Sequence, residues 1–369
     1  MKQFLKDIAI IGAGQGAPQG EENYCNDGIP FIKAGNLQEL LDGKDISLIQ
    51  QVSEIVAKKH RLKLYSKGTI LFAKSGMSCM KGYVYVLPQD AYVVSHLACI
   101  TPNEQISEYL RYYFLYHKPN QLVKDASYPS ISLTDIGNLE IDIKSVAERS
   151  AIVNELNLLD SIISLRQREL QKLDDLIKAR FVELTERANT IPTRMGDIAT
   201  YVNGYAFKPE QWEDNGYPII RIQNLNDANA PYNYYSGDLA EKYLIHNGDV
   251  LVSWATHLEA YIWKGQEAWL NQHIFKAVFD KMDVDKTYYV YASEEALRQA
   301  FRNAHGFKPT MEHIKKSDFD AAIVRLPDIE TQKEFADFVN QVDKSKSAVQ
   351  KSLDEAQLLF DSLMQQYFG

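Results

Sequence analysis

The ten-residue stretch GIPFIKAGNL, at residues 28–37, returns as GYPIIRIQNL at residues 216–225, with the same residue at five of the ten positions. A second patch, KGTILF at 67–72, returns in the same order as NGDVLV at 247–252. Self-similarity over so long a period indicates a duplicated structural unit. The sequence therefore predicts two copies of one domain whose loops differ in length.

The composition is that of an ordinary globular protein. The 369 residues suffice for two or three domains, with a formal net charge of −9 and 45% hydrophobic residues. No apolar run approaches the roughly twenty residues that span a membrane, and the first residues lack a secretory signal. The three cysteines, Cys25, Cys79 and Cys99, show no metal-ligand spacing. We therefore expect a cytoplasmic protein with free thiols and no membrane contact.

A glycine-rich segment near the start points to a different function. IAIIGAGQGA, residues 8–17, reads as a buried strand followed by the G-x-G-x-x-A spacing of a dinucleotide-binding turn that contains Gly12 and Gly14. That turn must open a helix, but loop composition follows, and no second strand ends in an acidic residue where the ribose contact is needed. The second copy reads YVNGYAF at 201–207, with a single glycine. We therefore expect a variable loop, and a dinucleotide-binding enzyme is kept as an alternative.

Each copy is predicted to have two parts. The first part consists of short Ile, Val, Tyr and Phe runs broken by Gly, Pro, Asn and Asp, with a helical stretch at 106–114. The second part is one long helix. The predicted fold class is α+β: two pseudo-repeated α/β domains separated by two long helices that form an antiparallel coiled coil. The predicted bounds are 1–144 for the first domain, 145–189 for the first helix, 190–326 for the second domain and 327–369 for the second helix.

Both helices carry a start signal and a heptad seam. Ser145-Val146-Ala147-Glu148 has the S-x-x-E pattern of a capping box, and Asp328 takes the same place before the second helix. Apolar residues then recur at alternating spacings of four and three, which is typical of a coiled coil. The predicted seam contains Leu156, Leu159, Ile163, Leu170, Leu173, Ile177, Val339, Val342, Val349, Leu353, Phe360 and Leu363.

Three polar residues interrupt this seam. Arg166 and Arg180 align with apolar residues of the second helix, while Lys346 aligns with Ile163. Polar seam residues cost stability but can fix register and orientation. Since the helices belong to a pseudo-twofold pair, we expect them to pack antiparallel. About 38 helical residues would form a rod of roughly 57 Å that holds the two domains at a fixed separation.

The chain has the order domain, helix, domain, helix, and each domain carries the patches G-x-P-x-x-(K/R)-x-x-N-L and x-G-(T/D)-(I/V)-L-x-(A/S). In these features it resembles the specificity subunit of type I restriction-modification systems. The resemblance covers essentially the whole chain. It implies two target-recognition domains, each reading one half of a bipartite sequence in double-stranded DNA, and helices that set the spacing. It also implies protein partners: two methyltransferase (modification) subunits docked on the helices, and a restriction subunit.

The resemblance assigns the chemistry to these partners. It implies S-adenosylmethionine for the modification subunits, ATP and Mg²⁺ for the restriction subunit, and no cofactor in this chain. The sequence agrees, because Gly43-Lys44 is followed by Asp45 and has Gln38 where a P-loop needs its first glycine. The chain also has no Pro-Pro for the amino-methyltransferase motif. We therefore predict no catalytic residue, no metal site and no enzyme activity.

Basic and polar side chains of the predicted loops are the DNA-binding candidates. The densest basic cluster would contact phosphates, which orient a protein on DNA, and a solvated helix end is the alternative. This cluster contains Lys58, Lys59, Arg61 and Lys63. The loops after the repeated Gly-containing strand would reach base edges, and a divergent hairpin is the alternative. Their candidates are Lys74, Ser75, Lys81, Thr256 and His257.

Three further candidates come from other loops. Ser130 and Lys308 lie before the last strand of each domain, where an ordinary turn is the alternative. Arg221 precedes the repeated Asn-Leu pair, which suits a pinned turn better than a DNA contact. His96 and His273 match across the repeat, and we expect each to be a hydrogen-bonded core histidine in an apolar strand.

The charge distribution argues against tight DNA binding by the chain alone. Residues 1–145 hold 15 Lys and Arg against 15 Asp and Glu, and residues 190–325 hold 14 against 18. These values are low for a self-sufficient DNA-binding protein. We therefore expect the modification subunits to neutralise many phosphates. A coiled-coil scaffold without a DNA role is the second alternative, and it predicts no DNA affinity even with partners present.

Overall fold

The structure is a computed structural model that describes residues 2–227, 229–254, 258–305 and 315–369. The chain divides into two units: unit 1 is Met1–Arg166 with Ser352–Gly369, and unit 2 is Gln167–Lys351. Each unit holds one strand-rich domain and one segment of each long helix.

The domain in unit 1 is built from short strands and short helices. Its strands are β1 (Lys2–Phe4), β2 (Ala9–Ala13), β3 (Ile29–Ile32), β4 (Gln51–Val52), β5 (Leu64–Tyr65), β6 (Ile70–Ala73), β7 (Tyr85–Val86), β8 (Ala91–Val93), β9 (Leu97–Pro102) and β10 (Glu140–Asp142). Its helices are α1 (Leu5–Ile8), α2 (Asn36–Leu41), α3 (Glu54–Lys59), α4 (Ser107–Tyr116) and α5 (Leu133–Gly137). Single 3-10 turns cover Glu21–Asn23, Ile46–Leu48, Met77–Lys81 and Pro119–Leu122.

Two four-stranded sheets form the body of this domain. One has the order β2-β9-β6-β7 and is antiparallel throughout, while the other has the order β4-β3-β8-β5 with β3 and β8 parallel. The strand β6 is buried along its whole length, as its continuous apolar run predicts for an inner strand. The strands β1 and β10 form a separate antiparallel pair next to the long helix.

The domain in unit 2 repeats this topology. Its strands are β11 (Ile191–Arg194), β12 (Thr200–Asn203), β13 (Tyr217–Ile220), β14 (Asn233–Tyr235), β15 (Leu244–Ile245), β16 (Val250–Ser253), β17 (Ala260–Ile262), β18 (Ala268–Leu270), β19 (Ile274–Val278) and β20 (Ile323–Leu326). Its helices are α7 (Met195–Ile198), α8 (Ile222–Asn226), α9 (Lys286–His305) and α10 (Lys316–Ala321), with 3-10 turns at Pro209–Gln211 and Glu241–Tyr243. The sheet orders β12-β19-β16-β17 and β14-β13-β18-β15 match those of unit 1 strand for strand. The predicted duplication is therefore confirmed.

A buried tyrosine ties each domain to the strand that precedes its long helix. The hydroxyl of Tyr109, on α4, donates to the carbonyl oxygen of Asp142 at 3.0 Å. The hydroxyl of Tyr288, on α9, donates to the carbonyl oxygen of Arg325 at 2.9 Å. The repeated contact fixes the exit of the chain from each domain into its helix.

The two long helices are α6 (Val146–Arg187) and α11 (Ile329–Phe368). At the start of α6 the backbone N–H of Glu148 donates to Oγ of Ser145 at 3.3 Å, and the N–H of Ser145 donates to the Glu148 carboxylate at 2.9 Å. At the start of α11 the N–H of Thr331 donates to the Asp328 carboxylate at 2.9 Å. Both predicted caps are therefore confirmed.

The helices pack antiparallel within each unit. In unit 2 the Nζ of Lys346 lies 2.5 Å from Asp174, and a guanidinium nitrogen of Arg180 lies 2.6 Å from Glu334. In unit 1 the hydroxyl of Tyr367 donates to Glu155 at 2.5 Å. The predicted α+β fold class, with duplicated domains and antiparallel long helices, is confirmed. Each side chain of the predicted seam is buried or half-buried: Leu156, Leu159, Ile163, Leu170, Leu173, Ile177, Val339, Val342, Val349, Leu353, Phe360 and Leu363.

Two general features of the described chain bear on its chemistry. None of its helices is both long and apolar enough to cross a membrane. Cys25, Cys79 and Cys99 are free thiols. Burial in the first domain raises the pKa of Cys99 to about 12, so this thiol is protonated and packs as a small apolar side chain.

Candidate nucleic-acid interface

The turn between β8 and β9 carries an exposed histidine. His96 lies in this turn, and its Nδ1 is 2.7 Å from the hydroxyl oxygen of Ser75. The carbonyl oxygen of His96 accepts the N–H of Lys74 at 2.9 Å. The prediction of a core histidine inside an apolar strand is therefore wrong for His96. The apolar run around it is divided between two strands that belong to different sheets.

Two loops that are far apart in the sequence meet beside this turn. Ser75 and Ser130 form an antiparallel backbone bridge. The N–H of Ile131 donates to the carbonyl oxygen of Lys74 at 2.8 Å, and the N–H of Gly76 donates to that of Pro129 at 3.0 Å. The structure thus brings three predicted DNA-binding residues, Lys74, Ser75 and Ser130, to one edge of the sheet.

Gln15 joins this edge to the basic cluster. Its side-chain oxygen accepts the N–H of Lys63 at 2.9 Å, and its carbonyl oxygen accepts the N–H of Ser95 at 2.8 Å. The Nζ of Lys63 lies 4.9 Å from the ring centroid of Tyr65. Hydrogen bonds and chain neighbours therefore connect a continuous set of residues, which we call the polar row: Lys63, Gln15, Ser95, His96, Ser75 and Ser130.

The glycine-rich segment is structural. At Gly14 a Cβ atom would overlap the carbonyl oxygen of Val93, and at the equivalent Gly204 it would overlap that of Asn271. The one glycine that both copies keep is thus required where the loop crosses the end of a strand. The hydroxyl of Tyr65 donates to the carbonyl oxygen of Ala13 at 2.7 Å, and burial raises the pKa of Tyr65. The expectation of a merely variable loop is therefore corrected.

The strand pairing also disagrees with a dinucleotide-binding turn. The strand β2 is an antiparallel edge strand, whereas that turn joins a parallel strand to a helix. The next helical segment is the single 3-10 turn Glu21–Asn23. Gly14 therefore serves chain crossing rather than pyrophosphate binding.

The basic cluster sits at the end of α3. Lys58, Lys59, Arg61 and Lys63 are exposed, and Lys58 forms a 3.7 Å pair with Glu54 one turn earlier. Arg61 has φ of 54°, a left-handed conformation that favours glycine. The N–H of Leu62 donates to the carbonyl oxygen of Ala57 at 2.9 Å and closes the helix end around it. Arg61 therefore occupies a strained position with its side chain in solvent.

The local charge is more polarised than the balance of each domain. Between residues 55 and 89 the chain has seven Lys and Arg residues and no Asp or Glu. This segment includes the exposed Lys81, whose Nζ lies 5.6 Å from the ring centroid of Tyr83. The corresponding segment of unit 2, residues 235–267, has two basic and five acidic residues. Equivalent segments of the two domains thus present opposite charge.

Unit 2 keeps the scaffold and changes the side chains. The N–H of Trp254, at the position of Lys74, faces the carbonyl oxygen of His273 at 3.5 Å. The Trp254 ring stacks on Phe275 with centroids 5.8 Å apart. His273 is half-buried in the turn before β19, so it too lies outside a strand, contrary to the prediction. The candidates Thr256, His257 and Lys308 lie outside the described residues.

Arg221 has a local structural environment. Its guanidinium donates to the side-chain oxygen of Asn233 at 3.1 Å and lies 5.1 Å from the Trp212 ring centroid. Its N–H donates to the side-chain oxygen of Asn224 at 3.1 Å, as the N–H of Lys33 does to Asn36 at 2.9 Å. The repeated asparagine therefore closes the turn after β3 and β13.

Sequence reasoning missed the role of Gln15, Ser95 and the exposed His96. The match of His96 with His273 was the available signal of a functional position, but the apolar residues on both sides made the turn look like part of a strand. Gln15 was hidden inside the glycine motif. Among the described residues, no group of three or more His, Cys, Asp and Glu side chains could hold a metal ion.

A family model identifies the class of protein. The model for the type I restriction modification DNA specificity domain matches residues 1–175 and 192–357. Because these ranges cover most of the chain and both domains, the chain belongs to this family. The predicted resemblance is confirmed.

Two curated relatives are specificity subunits of type I restriction enzymes. The chain is 28% identical over 163 residues to the EcoBI subunit of Escherichia coli, covering 42% of this chain and 34% of that protein. It is 32% identical over 169 residues to the MjaIX subunit of Methanocaldococcus jannaschii, covering 46% and 37%. The chain spans about a third of the length of the curated relatives it matches.

A solved structure shares the fold over the full length. It is the crystal structure of a type I restriction-modification system S subunit from M. genitalium, with a TM-score of 0.58 and 13% identity. The match covers 100% of this chain and 96% of that chain. The duplicated architecture is therefore shared by proteins whose sequences have diverged widely.

Proposed function

We propose that this chain is the non-catalytic DNA-recognition subunit of a type I restriction-modification complex, in which each domain reads one half of a bipartite target. The observation that carries the proposal is the polar row. It joins the basic cluster of unit 1 to two pinned loops, and two of its members, Lys63 and Ser75, lie in the segment 55–89 that has no acidic residue. Family membership supports the same conclusion.

The residues of unit 1 divide into two chemical groups. Lys58, Lys59, Arg61, Lys63 and Lys81 are exposed cations at a helix end and a loop, which suits phosphate contacts that fix register and orientation. Lys74, Ser75, Ser130 and His96 are held by backbone or side-chain hydrogen bonds, which suits reading of base edges in a groove.

Unit 2 would read the other half-site with different chemistry. Its scaffold places Trp254 and His273 where unit 1 places Lys74 and His96. Its two basic residues against five acidic ones between 235 and 267 favour few phosphate contacts of its own. Thr256, His257, Lys308 and Arg221 stay its proposed DNA contacts, and the remaining neutralisation would come from partner subunits.

The long helices would set the spacing and dock two modification subunits. In unit 1 they expose large apolar side chains, which is unusual for helices that face only water. These are Leu158 at 64% exposure, Leu165 at 56%, Leu358 at 74% and Leu359 at 51%. The last 44 residues, 326–369, hold four basic and eight acidic residues, which suits a basic partner surface. S-adenosylmethionine, ATP and Mg²⁺ would be bound by the modification and restriction subunits.

Genome-wide methylation mapping tests this function. A host without adenine methylation would express this chain with its cognate modification subunits, and the matched control would omit this chain. We expect methylation at a split motif with a constant unspecific gap, only when this chain is present. Methylation that does not depend on this chain would contradict the proposal.

Copurification and thermal-stability measurements separate the alternative functions. If the chain copurifies with the modification subunits but neither DNA binding nor methylation follows, the coiled-coil scaffold is favoured. Thermal stabilisation by NAD or FAD would instead favour the dinucleotide-binding enzyme. We expect no stabilisation, because Gly14 is closed against Val93.

A further inference from the structure

Two large apolar side chains project from the loops that meet beside His96. Tyr128 is 82% exposed and Met77 is 71% exposed. Met77 directly follows Gly76 and Tyr128 directly precedes Pro129, and the backbones of Gly76 and Pro129 are hydrogen-bonded to each other. We call Met77 and Tyr128 the apolar tip.

The backbone that carries the apolar tip is pinned. The Ser75–Ser130 bridge and the 3.0 Å bond from the N–H of Gly76 to Pro129 join the two loops. Pro129 is itself buried, and the 3-10 turn Met77–Lys81 follows Gly76 at once. The tip is thus exposed on a fixed backbone, and little backbone conformational entropy would be lost when it contacts a partner.

The charges around the apolar tip indicate the partner. Lys74 and Lys81 flank Met77 in sequence, within the segment 55–89 that has seven basic residues and no acidic residue. A protein partner of ordinary composition would not require this bias, whereas a phosphate backbone would. The loop of Tyr128 adds Lys124 and Asp125. Architectural proteins open a base step with an apolar side chain while basic residues nearby hold the adjacent phosphates.

We propose that Met77 and Tyr128 form a wedge that enters a base step of the half-site read by unit 1 and unstacks it. The inference rests on the proposed function and adds a mode of recognition to it. The Tyr128 ring would stack on one base and Met77 would fill the opened step. The half-site would then be selected partly by how easily its sequence opens, in addition to the contacts of the polar row.

The test uses the complex of this chain with its modification subunits. Duplexes carry the mapped motif with 2-aminopurine at successive positions of the half-site, excluding the adenine that a methyltransferase flips out of the helix. We expect a several-fold rise in fluorescence at one step on binding. Tyr128→Ala should abolish the rise and weaken binding by about 5- to 150-fold. Tyr128→Phe, which keeps the ring, should retain both.

Leu48→Ala is the matched control, because Leu48 is 70% exposed in the same domain on a different loop. It should bind and unstack DNA like the original chain. If the original complex binds its motif but no position of the half-site brightens, or if Tyr128→Ala behaves like Leu48→Ala, the wedge is overturned. If Tyr128→Ala instead prevents assembly with the modification subunits, the tip is a protein contact and the wedge is again overturned. Failure of the original complex to bind any duplex would count against the proposed function itself.

Discussion

The hydroxyl oxygen of Ser75 lies 2.7 Å from Nδ1 of His96, and this contact joins a loop after β6 to the turn between β8 and β9. It fixes the orientation of an exposed imidazole, and no side chain or carbonyl of the described residues bonds to Nε2, which can therefore meet a base edge. A neutral imidazole has one donor and one acceptor, so the direction of the Ser75 hydroxyl sets which of the two Nε2 presents. A side chain held in this way is suited to discriminate bases, whereas a mobile lysine is suited to phosphates.

Removing this hydroxyl should relax recognition at one half-site. Ser75→Ala frees the His96 ring, so we expect the complex to bind its motif about fivefold more weakly, the equivalent of one hydrogen bond. Methylation mapping should show added degeneracy in the unit 1 half-site and an unchanged second half. Ser78→Ala, in the same loop, is the control. An equal rise in degeneracy in both halves of the methylated motif would show that Ser75 affects only the stability of the folded protein.

Arg61→Gly should stabilise the protein while weakening DNA binding. The backbone of Arg61 is left-handed, with φ of 54°, and glycine adopts this conformation without the steric cost. We expect a gain of roughly 1 kcal/mol in the free energy of unfolding. The slope of binding against salt should fall by about one charge. Arg61→Lys should keep the slope and the strain. If Arg61→Gly leaves the DNA affinity and its salt dependence unchanged, Arg61 does not contact the DNA.

Gly14→Ala should destabilise unit 1. The new Cβ would overlap the carbonyl oxygens of Val93 and Val94, so the backbone of one loop would have to shift. We expect a loss of about 2 kcal/mol or more in the free energy of unfolding, measured by denaturant titration. Gly16→Ala is the control, since no atom of the described residues lies within 4 Å of a Cβ at that position. Equal stability of the two variants would show that the crossing does not require glycine.

The ion pair of Arg180 with Glu334 should contribute to the pairing of α6 and α11. Their atoms are 2.6 Å apart, and the Arg180 guanidinium also lies 5.9 Å from the Phe338 ring centroid. Because both side chains are partly exposed, a double-mutant cycle with Arg180→Ala and Glu334→Gln should give a coupling of roughly 0.2 to 1 kcal/mol. The coupling should shrink at high salt. A cycle through Arg180 and the exposed Lys178 should give none.

The repeat, the caps and the helical seam could be predicted because each is a local pattern. The cap patterns at Ser145 and Asp328 each lie within four residues of the helix start. The apolar residues of the seam, from Leu156 onward, recur at helical spacing. Each duplicated patch is also an unbroken stretch of sequence, so it can be recognised although the residues between the patches have diverged.

The candidate interface could be predicted only in pieces. The run from Ala91 to Pro102 reads as one apolar strand, and its division around His96 depends on pairing with β3 on one side and β6 on the other. Those pairings join residues far apart in the chain. The link from Lys63 through Gln15 to Ser95 likewise depends on where the loop after β2 crosses, which no periodicity encodes.

The central claim is that each domain reads one half of the target. Its most direct test replaces residues 1–144 with the equivalent segment of a relative whose split motif is known, and maps adenine methylation in a methylation-free host. We predict that the half-site read by unit 1 changes to that of the relative, while the other half and the gap stay the same. A fully methylation-competent hybrid whose motif is unchanged, or changed in both halves, would contradict the account.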